Sequence, residues 1–392
     1  MNKAVLNKDV QEFINNHMDS DVSAMIFKGT RFPKVETKEI IEQIEAKKKC
    51  RTKLPTWFQT ENIYYPNKLN IEQTSSEITA SYKSKLISGA SLIDLTGGFG
   101  VDCFYFSKAF KKVVHFELNP QLSALAEYNF KVLGIDTIET KNIDGIEYLI
   151  NTKTHFDWIY IDPSRRHDNK GKVFFLNDCL PNVPEHLETI FNATNQVMVK
   201  TSPLLDLTMG IHELKFVKSI YIVAVNNEVK ELLWILEKNH HHSPTIKTVN
   251  LTKESTITFD FVLEDEKTQE PLYSKPLAYL YEPNAAIMKA GAFNSISNQF
   301  KVKKLQKHSH LYTSNKLIDF PGRIFKIEQI LPYHIKSLKK IHLKNGNIST
   351  RNFPESVQQI RKKLNLKDGG EHYLFFTTDI DLKKIVIISS KN

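Results

Sequence analysis

Leu92-Ile93-Asp94-Leu95-Thr96-Gly97-Gly98-Phe99-Gly100-Val101-Asp102 is the stretch on which the reading of this chain turns. An apolar run ends on a carboxylate and enters a turn holding three glycines, with helical sequence behind it. Glycine has no Cβ, so its backbone can turn tightly and approach a ligand closely. A carboxylate at the end of such a strand lies where open α/β sheets take their ligands. The stretch predicts a nucleotide-like ligand on an α/β sheet. Taken alone, it is equally compatible with a plain strand–helix bend.

A dinucleotide is the first rival. Its fingerprint, Gly-x-Gly-x-x-Gly/Ala, needs a small third residue and delivers a pyrophosphate to a helix N-terminus. From Gly98 this chain reads Gly-Phe-Gly-Val-Asp-Cys, so Cys103 takes the third position and Asp102 enters the first helical turn. Negative charge there opposes a pyrophosphate. The residues resemble motif I of the class I methyltransferases, with Asp94, Gly98 and Gly100 at matching positions. Thr96 stands where many members have the first glycine, and Gly97 is an additional one. The resemblance implies S-adenosyl-L-methionine, a phosphate-free ligand with sulfonium and ammonium groups, as the cofactor. Asp94, Thr96, Gly97, Gly98 and Gly100 are then its expected contacts.

Residues 112–116 (Lys-Val-Val-His-Phe) read as the next strand, ending at Glu117 about 20 positions beyond the glycines, where a carboxylate can accept from ribose hydroxyls. A helical run over 121–133 leads to Gly134 and a third strand near 137–141. Asn142-Ile143-Asp144 follows, and the family resemblance places Ile143 and Asp144 against the adenine. A fourth strand, 158–161, ends in Asp162-Pro163-Ser164-Arg165-Arg166. Any one of these acids could be an N-cap. Four in succession, Asp94, Glu117, Asp144 and Asp162, at the ends of successive strands favour a ligand-binding edge.

Asp162-Pro163-Ser164-Arg165 resembles motif IV of methyltransferases acting on amino groups of bases, where Asp/Asn-Pro-Pro-aromatic is usual. In that motif the acidic or amide oxygen accepts from the target amine, and the aromatic ring stacks on the flipped base. Here Ser164 and Arg165 replace the second proline and the aromatic. A guanidinium can stack on a base or bind phosphate, so the acceptor atom stays open. The resemblance makes Asp162, Pro163 and Arg165 the expected catalytic residues, with Asp162 also near the cofactor and Arg166 beside the base or its phosphate. The other reading of Asp162-Pro163 is a turn capping the next helix. Methyl transfer to nitrogen needs mainly alignment of the reactants, so the lack of a His or Lys dyad is no objection.

The chain of 392 residues, 41% hydrophobic and 25% charged, is long enough for two or three domains and ordinary for a globular protein. No apolar run approaches membrane-spanning length and the N-terminus lacks a signal-peptide core. The expected address is the cytoplasm, with no membrane partner. Three scattered cysteines, Cys50, Cys103 and Cys179, suit neither a zinc site nor a disulfide framework. His240-His241-His242 lacks spaced partner ligands and reads as a loop, so no metal is expected.

Charge is unevenly distributed. Residues 301–392 hold 19 Lys and Arg against 7 Asp and Glu, a net of +12, which leaves −3 for residues 1–300 from the chain's +9. Such asymmetry marks a nucleic-acid contact, and phosphate attraction supplies affinity without choosing a base. The alternative is a solvated lysine-rich face.

Residues 1–55 carry helical periodicity and form an N-terminal segment ending near Lys47-Lys48-Lys49-Cys50-Arg51. Residues 56–265 form the Rossmann-like core, of α/β class with seven strands. Ser75 and Ser76, before the helix that precedes motif I, are candidate cofactor contacts or simple caps. Strands are expected at 196–200, 219–225 and 256–262, with a helix over 228–236. Residues 266–315 form a small connecting α+β, ferredoxin-like segment containing Tyr281-Glu282-Pro283-Asn284-Ala285-Ala286. Residues 316–392 alternate strand and helix: strands at 325–331, 347–350, 373–378 and 384–389, helices at 335–343 and 354–364. This basic unit resembles the THUMP-like domains of some bacterial class I methyltransferases. The resemblance includes Gln329-Ile330-Leu331-Pro332-Tyr333, the lysine-rich helix after it, and Glu72-Gln73-x-Ser75-Ser76-Glu77 upstream of motif I. It implies an RNA substrate, rRNA or tRNA, methylated at a base nitrogen. Two other readings remain: a methyltransferase acting on a small molecule or protein, and an RNA-binding module that has lost turnover.

Overall fold

The computed structural model describes residues 1–165, 175–339 and 343–391. The chain divides into two compact units, Met1–Lys218 with Glu231–His241, and Ser219–Lys230 with His242–Asn392.

The first unit opens with helices α1 (Lys8–Asn16), α2 (Val22–Lys28), α3 (Thr37–Lys53), α4 (Pro55–Gln59), α5 (Lys68–Gln73) and α6 (Glu77–Ser84). A capping box between Glu36 and Glu39 starts α3, and Pro55 fits the first turn of α4, where its missing N–H costs nothing. Trp57 is fully buried against Phe104, ring centroids 4.8 Å apart, in an edge-on contact.

From there strand and helix alternate: β1 (Gly89–Asp94), α7 (Val101–Phe106), β2 (Phe110–Phe116), α8 (Pro120–Val132), β3 (Ile138–Lys141), α9 (Gly145–Asn151) and β4 (Trp158–Ile161). The two-residue strands β5 (Ser164–Arg165) and β6 (Cys179–Leu180) pair with each other. Then come α10 (Val183–Ala193), β7 (Gln196–Thr201), α11 (Leu207–Glu213), β8 (Val217–Val225) and β9 (Glu228–Glu237). Within the first unit the sheet runs β3-β2-β1-β4-β7-β9. The first five strands are parallel and β9 is antiparallel to β7. Parallel strands need both faces covered, and the buried runs Leu92-Ile93 of β1, Ile159-Tyr160-Ile161 of β4 and Val197-Met198-Val199 of β7 meet that need.

One expectation fails here. Residues 228–236 are strand β9, not a helix. Leu and Glu are good helix formers, but propensity yields to burial. Asn226 and Asn227 take φ of 50° and 65°, the two-residue reversal typical of a tight hairpin. The antiparallel strand of the core is therefore β9. The run at 256–262 belongs instead to the second unit, where it pairs with Thr245–Leu251, a strand the sequence reading passed over; that strand in turn runs parallel to β8.

The second unit also holds a seven-stranded sheet, in the order Lys303–Lys304, Tyr312–Ser314, Tyr279–Pro283, Gly322–Pro332, Lys384–Lys391, His372–Thr378, Asn347–Arg351. Helix Val357–Leu364 starts on a capping box between Ser356 and Gln359. Its Ile360 packs with Leu374, Phe376, Val386 and Ile388 in one apolar cluster, while Leu280, Phe325, Phe375 and Ile387 form another. Helix Ile335–Lys339 lies where one was expected. Among the described residues no helix is long and apolar enough to cross a membrane.

Packing at Gly210 gives a test of the α11–β9 contact. A Cβ there would sit 2.3 Å from the fully buried ring of Trp234, whose Nε1 donates to Thr201 Oγ1 at 2.9 Å. Gly210→Ala is expected to destabilise the protein by about 1–3 kcal/mol, measured by urea unfolding with Trp fluorescence as the probe.

Candidate active site

The predicted edge exists. In register, Asp94 on β1 lies level with His115 on β2 and Tyr160 on β4, so the carboxyl ends of the inner strands form one rim. Asp94 is 1% exposed, and its carboxylate turns back under the glycine loop. Oδ1 accepts from the Thr96 N–H at 2.9 Å and from the Thr96 hydroxyl at 3.1 Å, and the Cys103 thiol lies 3.2 Å from Oδ2.

The three glycines do different things. Gly97 has no room for a Cβ, which would meet the His115 ring at 2.3 Å. Gly100 sits at φ +85 and would strike Phe130 at the same distance. A Cβ on Gly98, at φ +55, would meet nothing closer than the Thr96 carbonyl at 3.8 Å. Gly98 is thus the open floor of the turn. Burial pushes the His115 imidazole down to about 4, and its Nε2 lies 3.2 Å from the Gly98 carbonyl. It is a neutral prop for the loop.

Glu117 accepts from Gly98 N–H at 3.0 Å with Oε2 and from Asn119 N–H at 2.7 Å with Oε1, which places its half-buried carboxylate against the loop. Asn142 Nδ2 donates to the Glu117 and Leu118 carbonyls and holds the turn after β3 beside the turn after β2. Asp144 is a helix cap, its Oδ1 accepting from the Ile146 and Glu147 N–H groups, and Ile143 before it is 45% exposed. Capping and ligand binding are compatible here, because Asp144 caps with one oxygen only.

Motif IV joins motif I directly. The Asp162 N–H donates to Thr96 Oγ1 at 2.7 Å, so Thr96 bridges both motifs, and its hydroxyl is engaged within the protein. Asp162 is partly exposed and ion-paired with Lys200. Pro163 is buried and Ser164 exposed. Arg165 contributes its backbone to β5, and Arg166 lies outside the described residues.

Beneath this rim is a buried charge network that sequence reasoning missed. Lys83 of α6 is 0% exposed. Its ammonium pairs with Asp102 at 3.0 Å and Glu231 at 3.2 Å, and donates to Ser75 Oγ at 2.9 Å and Tyr160 OH at 3.2 Å. Asp102 Oδ2 also accepts from Ser75 at 2.9 Å and Tyr160 at 2.8 Å. Asp102 therefore faces inward to a lysine rather than out to a ligand, and Ser75 joins it there. Ser76 is the N-cap of α6. Burial would raise Asp102, but Lys83 and Lys200 outweigh it and hold the carboxyl below its usual range. Burial would likewise lower Lys200, but Asp162, Asp102 and Glu231 together raise it, so Lys200 stays charged. Glu231 is raised, because there burial prevails. Three carboxylates (Asp102, Glu231, Asp162) face two ammonium groups (Lys83, Lys200), a formal excess of one negative charge beside the turn. A cationic ligand suits that balance; a pyrophosphate does not.

Two of these residues left a trace in the sequence. Lys83 follows Thr79 and Ala80 at helical spacing on the buried face of α6. Lys200 ends an apolar strand, and the parallel register Ile161↔Val199 places it level with Asp162. Glu231 left none, since its strand was read as a helix. His241 packs edge-on against Phe216, centroids 5.3 Å apart, and among the described residues no group of three or more His, Cys, Asp or Glu could hold a metal.

Strand order β3-β2-β1-β4-β7-β9 with the last strand antiparallel, a glycine turn after β1 and an acid after β2 define a class I methyltransferase. Residues 279–321 match a ferredoxin-like domain and residues 322–391 a THUMP domain-like family. The solved structure of a candidate methyltransferase from Porphyromonas gingivalis W83 is 32% identical, covering 99% of this chain and 98% of that one, with a TM-score of 0.90. The chain belongs to that family, the class I S-adenosylmethionine-dependent methyltransferases with a C-terminal THUMP-like domain. An rRNA methylase from Streptococcus thermophilus matches over 41% of this chain and 94% of its own, at 16% identity and a TM-score of 0.30. TrmK of M. capricolum, solved with S-adenosyl-homocysteine, matches over 42% and 69%, at 13% identity and 0.33. No curated protein matches.

The residues present fit S-adenosylmethionine: Gly98 leaves an open floor, Glu117 stands over it, and the buried charge beneath is negative. Burial pushes the Asp94 carboxyl up to about 7, against the lowering effect of its bonds from Thr96 and Cys103. A folded pKa above the unfolded value of 3.8 favours the folded state fully below pH 3.8, and that contribution is lost as pH rises through 7. A bound cation has the opposite preference and favours ionised Asp94. Cofactor affinity, measured by calorimetry, is therefore expected to strengthen up to about tenfold between pH 6 and 7.5. Asp94→Asn should weaken binding, flatten that profile, and leave the unliganded protein at least as stable at pH 8. An unchanged profile in Asp94→Asn would refute the linkage.

Proposed function

We propose that this methyltransferase acts on structured RNA, rRNA or tRNA, at a base nitrogen. Residues 56–265 would supply the transfer chemistry, and the segments 266–315 and 316–392 would hold the RNA. The observation that carries the reading of the site is the Thr96 bridge, which sets the Asp162 carboxylate beside the cofactor turn. The net charge of +12 over residues 301–392 and the THUMP domain-like match support the choice of RNA.

Asp94, Thr96, Gly97, Gly98 and Gly100 build the floor of the cofactor site, Glu117 accepts from the ribose hydroxyls, and Ile143 and Asp144 flank the adenine. When bound, the cofactor supplies a methyl carbon activated by its sulfonium. Asp162 and the Pro163 region accept from the acceptor N–H and aim its lone pair along the line of transfer. The acceptor's proton then passes to water at the partly exposed rim. Lys200 pairs with Asp162 and fixes it in place, so that one carboxylate serves orientation rather than strong-base catalysis. Arg165 and Arg166 meet the base or its phosphate.

Asp162→Ala is expected to keep cofactor affinity within a few fold while removing transfer of labelled methyl to total RNA from a strain lacking the gene. Glu117→Ala should instead abolish cofactor binding in calorimetry. Mapping modified nucleotides in RNA from the deletion strain and its parent tests the substrate. Identical RNA modification with labelled methyl appearing only in protein or small molecules would overturn the RNA reading.

A further inference from the structure

The motif Tyr281-Glu282-Pro283-Asn284 has no part in methyl transfer, and its acid is in an unusual setting. Glu282 is 2% exposed, on a strand that pairs with the start of the basic C-terminal stretch. Two arginines meet its carboxylate. Arg323 Nε donates to Oε2 at 2.7 Å and its terminal nitrogen bonds the same oxygen, while Arg351 Nη2 donates to Oε1 at 2.8 Å. Ser349 Oγ lies 3.4 Å from Oε1.

The backbone arranges this convergence. Glu282 and Arg323 are an antiparallel pair, and a Cβ on Gly322 would sit 2.1 Å from the Glu282 carbonyl oxygen, so only glycine lets the two strands lie this close. Arg351 ends the strand at the far edge of the same sheet.

One guanidinium would neutralise Glu282; the second leaves a net positive charge. The arginine side chains are 44% and 34% exposed. Burial first, and then Lys304, Arg351 and His308, hold the His310 imidazole down to about 4, so it stays neutral and leaves the positive charge to the arginines. A carboxylate that orients two half-exposed guanidinium forks presents a surplus of fixed donors, the geometry that suits a tetrahedral oxyanion.

We propose that Arg323 and Arg351, crossed on the buried carboxylate of Glu282, form a binding site for a backbone phosphate of RNA. The inference rests on the RNA reading above. Glu282 is a positioning residue, and the two guanidinium groups make the contact.

The test uses the full chain and a fluorescein-labelled tRNA, with binding followed by anisotropy from 50 to 300 mM KCl. Arg323→Gln/Arg351→Gln is expected to weaken binding about tenfold at 50 mM and to lower the log–log salt slope by about 1, as loss of one phosphate contact does. Lys362→Gln/Lys363→Gln removes the same charge from exposed positions on helix Val357–Leu364 and is expected to have less than a third of that effect. Arg323→Lys/Arg351→Lys keeps charge against Glu282 but loses both forks, and should still weaken binding several fold. This variant carries the comparison if circular dichroism shows the glutamine pair unfolded. Inorganic phosphate at 20 mM, compared with chloride at equal ionic strength, should leave tRNA binding unchanged. Phosphate competition lost in the arginine variants would instead identify a free-phosphate site and overturn the RNA assignment. Equal losses in the lysine and arginine pairs, or wild-type binding by the Arg→Lys pair, would overturn the site while leaving the RNA reading intact. No salt-sensitive tRNA affinity in the unaltered protein would overturn both.

Discussion

An ammonium group with no access to water must be met by negative charge, and Lys83 imposes that demand on the core of the first unit. Its partners come from four places in the chain: Ser75 before α6, Asp102 at the start of α7, Tyr160 within β4 and Glu231 on β9. Each must be in place for the others to be tolerated, because a buried carboxylate without a partner is costly as the lysine alone is, and an unpartnered phenol adds a smaller cost. The network fixes α6 over the sheet and settles where α7 begins. It also requires β9, the strand adjacent to β7, to be present and in register. The glycine turn lies between these constraints and is held from beneath.

Above the network, the carboxylates of the rim are divided between holding the loop and facing a ligand. Asp94 and Glu117 spend hydrogen bonds on the backbone of the turn itself, through Thr96 and Gly98. They shape a loop whose one open glycine is Gly98, while Gly97 and Gly100 are closed by His115 and Phe130. Desolvating Asp94 enough to push its carboxyl up to about 7 costs stability that a cation can restore. The protein thus carries a negative surplus beside the glycine turn. Lys200 offsets part of that surplus, most directly through its ion pair with Asp162.

The second unit reverses the pattern. There the field is positive, and one buried acid, Glu282, organises two arginines much as Lys83 organises acids in the first unit. A single charge of the minority sign, buried and multiply bonded, gives fixed geometry to the majority charges around it. Long surface side chains otherwise lose such geometry to rotamer entropy.

The sequence by itself determined the local features. The glycine turn, the strand-ending acids Asp94, Glu117, Asp144 and Asp162, the caps and the parallel core strands were legible because each depends on residues close in the chain. So were the strands and helices of residues 320–391. The sequence misread Glu228–Glu237, where leucine-rich helical propensity lost to burial in a sheet and only Asn226-Asn227 signalled the reversal. It read Asp102 only as a charge that opposes a pyrophosphate, and the fold pairs that carboxylate with Lys83. It expected Thr96 at the cofactor turn but did not reveal that its hydroxyl also ties the two motifs together. Lys83, Lys200 and Glu231, and the crossing of Arg323 and Arg351 on Glu282, were decided by tertiary structure alone. Partners 38 to 148 residues apart meet only when strands are laid side by side, and the sign and burial of a charge are set by what the fold brings against it.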